Sequence, residues 1–304
     1  MAVLLHLVLA LALGAPPDQA PDQASEPRPR GYWQAIAESG MVLPEGESAY
    51  ELIVELSAHL GSTDPVLRDD YGYGIPANWI GRQQLLSAEE LRALTRLWLP
   101  NLGVEIGDSG SDSVLLRSFS ALNLSLLAAH DTQHAFLEAE DFEALLEGAL
   151  VYLARERDLR GWVEGLGWCH SAAHTADLLK FLARSRHLHP EGQYMLLEGI
   201  ANRMRDTDGL VFVHSEDERL AAAVVSVMAR KDFDTEAFAE FIDGLAQTSR
   251  AAGFGHDFDP RVFAAQQNCK NLTRALYVHL LRFEDLPPEL AAARDHVRRS
   301  LNKN

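Results

Sequence analysis

Amphipathic helix periodicity recurs through most of this chain and leaves little room for strands. Apolar residues return at three- and four-residue intervals, whereas sustained apolar–polar alternation and Asn-Gly hairpin signals are missing. The pattern predicts helices at about 47–60, 87–103, 112–130, 140–155, 168–186, 191–205, 216–230, 234–250, 259–282 and 287–302. The short connections favour antiparallel neighbours. We therefore predict an all-α fold of about ten or eleven helices, stacked in antiparallel pairs as a HEAT-like α-solenoid or a helical toroid.

Helix-capping residues support these boundaries. Ser87 with Glu90 and Ser215 with Glu218 match the capping box, in which side chain and backbone satisfy each other at a helix start. The glycine- and aromatic-rich stretch 64–82 predicts only a short helix and a loop.

The charge of the chain argues against two kinds of partner. Lys and Arg number 27 and Asp and Glu number 44, which gives a net charge of −17. Nucleic-acid binding needs a basic surface, and an anionic membrane repels an acidic protein.

Hydrophobic residues make up 47% of the 304 residues, enough for a substantial core. Because no linker divides the chain after residue 31, we predict one helical domain over 31–304.

The first 14 residues have the pattern of a signal peptide. The apolar run from Val3 to Leu13 is shorter than the roughly 20 residues that span a bilayer, and Ala12 and Gly14 suit a cleavage site. The Pro-rich segment 15–30 is predicted to be a disordered linker. We expect a periplasmic or secreted protein with no stable membrane insertion after cleavage. The alternative is a cytoplasmic protein with an apolar start, since no Lys or Arg precedes the run.

The densest polar cluster lies within residues 158–177. On a helix beginning near Trp168, the side chains of His170, His174 and Asp177 share one face. The helix dipole favours neutral imidazole there, the form that binds metals and acts as a base. We predict these three as catalytic residues or as ligands of a divalent metal such as zinc. Structural capping and packing is the alternative.

Other polar residues fall into the same predicted pocket. Arg117 belongs to a polar stripe on the apolar helix at 112–130, with Ser113, Ser120 and Asn123. A buried arginine needs a carboxylate, predicted to be Asp158, Asp177 or Glu216. Arg117 is either an anion clamp or part of an internal salt-bridge network. The further predicted ligand-binding residues are Asp158, Arg160, Glu216, Asp217, Arg68 and Asp69, with His214 as an added metal-ligand candidate. Helix-start acids and a local Arg–Asp pair are the structural alternatives.

The two cysteines, Cys169 and Cys269, leave alternatives open. In an exported protein they could form a disulfide, whereas two buried free thiols are the other interpretation. Cys169 at a helix start is either a nucleophile or a packed small thiol.

The sequence has no P-loop, dinucleotide fingerprint, HExxH, GxSxG or CxxC motif, which argues against several common enzyme classes.

Together, four stretches resemble the bacterial domain-of-unknown-function family DUF2785 over roughly residues 50 to 285. They are Leu67-Arg68-Asp69-Asp70 with Trp79-Ile80; residues 111–122, SDSVLLRSFSAL; residues 158–179, from DLRGWV to HTADLL; and residues 216–221, EDERLA. The resemblance implies an all-helical fold and brings no established activity. Its motif residues coincide with the polar residues selected above.

Two functions therefore remain open from the sequence. The first is an enzyme or binder with a pocket for a small polar ligand, with or without a divalent metal. The second is a non-catalytic helical-repeat scaffold that contacts protein partners in the cell envelope.

Overall fold

The computed structural model describes residues 27–250 and 258–302, which are mostly helical. The α-helices are α1 (Arg30–Glu38), α2 (Ala49–Leu56), α3 (Gly74–Pro76), α4 (Ala88–Trp98), α5 (Ser113–Asp131), α6 (Ala139–Arg155), α7 (Ser171–Leu182), α8 (Pro190–Arg205), α9 (Glu216–Met228), α10 (Thr235–Ser249), α11 (Pro260–Leu281) and α12 (Pro288–Asn302). The predicted all-α class is confirmed, and twelve helices in the described residues slightly exceed the predicted number. The leader 1–14 and most of the predicted linker 15–30 lie outside the described residues.

The helices from α5 onward are arranged in two groups of neighbours. Helices α5, α7, α9 and α11 pack in that order, and α6, α8, α10 and α12 pack in that order. The two groups also touch, as at α6 with α7 and α10 with α11. The fully buried α5 side chains, including Val114, Leu115 and Leu124, explain why this helix is apolar on nearly every side.

The N-terminal region contains more helix than its sequence predicts. Helix α1 buries Trp33 and Ile36 in a core with Trp79 and Trp98. The stretch 66–82 is helical throughout, with wide π-helical turns at Val66–Tyr73 and Ala77–Arg82 on either side of α3. The expected loop at 64–82 is therefore wrong. Tertiary packing of Tyr71, Ile75 and Trp79 overrides the low helix propensity of its glycines.

A small hairpin interrupts the chain before α7. Strands β1 (Trp162–Val163) and β2 (Gly167–Trp168) pair antiparallel. Helix α7 therefore begins at Ser171, three residues later than predicted. His170 precedes the helix with a left-handed φ of 51°.

The capping predictions differ in outcome. The Ser87–Glu90 capping box is present at the start of α4. The capping box predicted for Ser215 and Glu218 is wrong, because Ser215 is left-handed with a φ of 65° and its side chain makes no capping bond.

Both cysteines are buried free thiols, and burial raises the pKa of the Cys169 and Cys269 thiols, the latter to about 11. None of the described helices combines the length and apolar character that crossing a bilayer requires.

Candidate functional site

Arg117 is sealed inside the protein and pairs with a carboxylate that sequence reasoning missed. Its guanidinium donates to Glu156 at 2.6 and 3.0 Å, and also to the Ser113 hydroxyl and the carbonyls of Val104 and Glu105. Both members of the pair are almost fully buried. The partner is therefore Glu156 and not Asp158, Asp177 or Glu216. Arg117 therefore lies in an internal salt-bridge network, as the structural alternative expects.

The remaining members of the predicted polar stripe on α5 also serve the fold. The Ser120 hydroxyl accepts a bond from Asn101, and Asn123 donates to the Gly72 carbonyl at 3.1 Å. Gly72 lies in the first π-helical segment, where backbone carbonyls lose their usual i+4 partners. The stripe therefore connects α5 to the irregular helix beside it.

Asp158 and Arg160 form a second internal pair. Asp158 is buried and accepts bonds from Arg160 at 2.7–3.0 Å and from the Gly110 backbone. Arg160 also donates to the Ser111 carbonyl. The Asp158 carbonyl accepts from Ser171 at the start of α7. This pair fixes the segment that leads into the hairpin and holds the start of α7 in place.

Three histidines with a tryptophan and a glutamate form a compact group that we call the histidine cluster: His170, His174, His214, Trp168 and Glu216. Trp168 stacks on His170 with ring centroids 4.4 Å apart, and the His170 and His174 rings meet edge to face at 5.6 Å. The His214 ring lies against Trp168 at 5.5 Å. It packs so closely on the chain that a Cβ at Gly161 would lie 2.2 Å from its Nδ1. Glycine at 161 is therefore a condition for this arrangement.

His174 is held in one tautomer by its neighbours. The Ser118 hydroxyl donates to the Cys169 carbonyl, so its oxygen is left to accept from Nδ1 of His174 at 2.8 Å. In the neutral ring Nε2 then carries an unprotonated lone pair. This atom has no hydrogen-bond partner among the described residues. It is not among the unpaired, fully enclosed polar atoms of the described residues, and His174 retains 5% of its surface.

Burial keeps both central histidines neutral. Burial lowers the pKa of His170, and it lowers the pKa of the almost fully buried His174 well below its ordinary value of 6.5. Neutral imidazole at this position was predicted from the helix dipole. The structure gives the same charge state for a different main reason, because α7 begins after His170.

Glu216 places a second unsatisfied acceptor in the cluster. Its Oε2 accepts from the His214 backbone at 2.7 Å, while Oε1 lies 3.9 Å from both His170 Nε2 and His214 Nδ1. His170 Nε2 donates instead to the His214 carbonyl at 2.9 Å. That bond leaves His170 Nδ1 unprotonated in the neutral ring. The two left-handed residues, His170 and Ser215, flank this contact and are the strained backbone positions that functional sites often contain.

Asp177 does not join the two histidines that precede it. Its carboxylate accepts from Lys180 at 2.9 Å and from Arg219 at 2.6 Å. Ser118 orients the His174 ring, and the His214 carbonyl orients the His170 ring. In the described ranges, no three His, Cys, Asp or Glu side chains are grouped to hold one metal ion. The structure therefore does not bring His170, His174 and Asp177 together as one set of ligands.

The remaining predicted residues lie around the cluster. Asp177 and Asp217 line a groove of about 490 Å³ across α7, α9 and α11. Asp69 lines a separate cavity of about 680 Å³ beside α1. Arg68 is buried, pairs with Asp69, and donates to the Leu166 carbonyl in the hairpin turn at 2.9 Å. The eleven predicted residues thus form adjoining networks rather than the walls of one pocket.

Sequence reasoning missed three residues that shape the site. Ser118 orients His174, Glu156 neutralises Arg117, and Arg219 pairs with Asp177. A carboxylate at the end of a predicted helix gave a weak signal for Glu156. Ser118 gave none, because a serine in an apolar helix is equally typical of a bond to its own backbone.

The fold and the site together define an all-helical protein with a partly buried histidine cluster at the junction of a hairpin and two helices. The chain belongs to the family described as "Protein of unknown function (DUF2785)", whose model matches residues 102–278, more than half of the chain. The family resemblance seen in the sequence motifs is confirmed over these residues. The same comparisons gave no match among curated proteins or solved structures.

Proposed function

We propose that this protein binds a small polar ligand at the histidine cluster, where His174 accepts a hydrogen bond or a proton from it. One observation carries the proposal. Nε2 of His174 is an unpaired acceptor on a side chain that is only 5% exposed. A buried acceptor without a protein partner needs water or a ligand to satisfy it, and a ligand with a hydrogen-bond donor can replace that water.

The surrounding residues support a role in binding. Ser118 fixes the ring orientation from behind, and the neutral state of the ring preserves its lone pair. Glu216 and His170 add further acceptors, and Arg219 adds a half-exposed donor already paired with Asp177. A site of this kind can bind a hydroxyl or amide donor. The site can also remove a proton from the bound donor, so its geometry suits either binding or acid–base chemistry.

The experiment is a screen of polar fragments against protein labelled at histidine Cε1, with NMR as the readout. We expect binding compounds to shift the His174 resonance. In the variant His174→Asn, the side-chain amide can take the place of Nδ1 and donate to the Ser118 hydroxyl, whereas the Nε2 acceptor is lost. Losing one neutral hydrogen bond should weaken binding by about tenfold.

The matched control is His189→Asn, since His189 is exposed and directly precedes α8. This variant should bind as the wild type does. Compounds that bind without shifting His174, or with equal affinity for His174→Asn, would contradict the proposal.

A second candidate function is a scaffold that contacts a protein partner through the groove across α7, α9 and α11. Arg274 and Arg282 line this groove and form no ion pair with a described residue. From α5 onward, odd-numbered helices pack on odd-numbered helices and even-numbered helices pack on even-numbered ones. This order of neighbours supports a short HEAT-like α-solenoid as the finer architecture. Elongated shape in small-angle X-ray scattering would support the solenoid over a closed toroid.

We also propose that the protein is exported. The support is the apolar leader 1–14 with small residues before its expected cleavage point. Expression of the full chain in a bacterial host should yield a mature protein in the periplasm or medium that begins at Ala15. N-terminal sequencing of the purified protein checks this, and an intact Met1 on cytoplasmic protein would refute it.

A further inference from the structure

A surface tryptophan lies beside the histidine cluster without contributing to the hydrophobic core. Trp162 on β1 is 55% exposed, whereas Trp33, Trp79 and Trp98 are fully buried. Single exposed apolar residues are common on proteins. The position of this one is informative because of the rings that follow it.

A continuous series of rings connects Trp162 to His174. Trp162 meets Trp168 at 5.4 Å, Trp168 stacks on His170 at 4.4 Å, and His170 meets His174 at 5.6 Å. The hairpin that carries both tryptophans is held in place by the bond from Arg68 to the Leu166 carbonyl. Trp162 is therefore presented by a fixed element rather than by a loose loop.

The unused polar atoms on the almost fully buried side chains of the cluster are acceptors, whereas its unused donors, the indole N–H of Trp168 and a ring N–H of His214, lie on less buried side chains. The acceptors are Nε2 of His174, Nδ1 of His170 and Oε1 of Glu216, on side chains that are each at least nine-tenths buried. None has a hydrogen-bond partner among the described residues, and none is among the unpaired polar atoms that are fully enclosed there. Anionic groups would meet these lone pairs and the Glu216 carboxylate, so they are disfavoured. The nearest cation, Arg219, is already neutralised by Asp177.

We infer that the ligand is a neutral, polyhydroxylated ring of the saccharide class, which stacks its apolar face on Trp162 and donates hydroxyl hydrogens to the acceptors of the histidine cluster. A pyranose has this combination of one C–H face and several hydroxyl donors at its rim. Exposed aromatic rings suit such amphipathic ligands because one surface is apolar and the edge stays wet. This inference rests on the proposed binding function and specifies its ligand class.

Saturation-transfer-difference NMR on the full protein tests the inference. The probes are glucose, N-acetylglucosamine, maltose and cellobiose, with tetramethylammonium and inorganic phosphate as opposing probes. We expect saturation on saccharide ring protons and none on the two ions. The variant Trp162→Ala should weaken saccharide binding by about tenfold, and Trp162→Phe should retain most of it. Tyr194→Ala is the matched control, since Tyr194 is 45% exposed on α8.

The outcomes separate this inference from the proposed function. Failure of all four saccharides to bind, binding of either ion in their place, or unchanged affinity in Trp162→Ala would overturn the saccharide assignment. If polar fragments still shift His174 in that case, the binding function stands with another ligand class. If no fragment shifts His174 either, the proposed function itself fails. Because Trp162 is a surface residue, its loss should leave the thermal midpoint nearly unchanged, and a circular-dichroism melt checks that the variant folds.

Discussion

Replacing Arg117 with methionine is expected to lower the free energy of unfolding by about 3–5 kcal/mol. The substitution leaves the Glu156 carboxylate buried without its cation, and it also removes the donor that satisfies the carbonyls of Val104 and Glu105. Removing one partner of a buried pair costs more than the pair contributes, because the remaining charge cannot return to water. Urea unfolding followed by circular dichroism measures the loss.

Two further variants distinguish the stability loss caused by a stranded buried charge from the loss caused by breaking any salt bridge. Arg117→Met combined with Glu156→Gln removes the stranded charge while keeping an acceptor for the Asp158 backbone, so it should recover part of the loss. Arg157→Met breaks an exposed pair with Asp206 next to the site and should cost about 0–1 kcal/mol. Equal effects of Arg117→Met and Arg157→Met would show that Arg117 is not sealed as described.

Acidification is expected to destabilise the protein through His174. Its pKa in the folded state lies well below the unfolded value of about 6.5, because burial disfavours the imidazolium ion. The unfolded chain therefore binds more protons below this pH. The stabilising contribution is fully present above pH 6.5 and is lost as the pH falls toward the folded pKa. The slope approaches about 1.4 kcal/mol per pH unit for this one residue.

The measurement is the free energy of unfolding of wild type and His174→Asn in urea between pH 7.5 and 5. The difference between the two proteins should shrink as the pH falls, because only the wild type carries the buried imidazole. His170 contributes in the same direction, since burial lowers its pKa as well, so part of the slope remains in the variant. His189→Asn should follow the wild-type curve. A pH-independent difference between wild type and His174→Asn would mean that the His174 imidazole is not desolvated.

Much of the helical framework follows from the sequence alone. The ends of α5, α6 and α8 through α12 lie within about two residues of the predicted segments, because period-3.6 patterning and local capping determine them. The capping box at Ser87 formed because both of its bonds are local. The hairpin escaped prediction because its strands are two residues long and show no alternation.

The sequence by itself determined the all-helical class, the helix order and the positions of the polar residues that cluster near α7. Only the tertiary structure decided which of them pair with one another and which keep an atom without a partner. Pairing of Arg117 with Glu156 brings together side chains 39 positions apart, and the contact of Ser118 with His174 spans 56. No local pattern encodes such contacts, since they depend on how whole helices pack. The same packing pairs Nδ1 of His174 with Ser118 and leaves its Nε2 without a partner among the described residues.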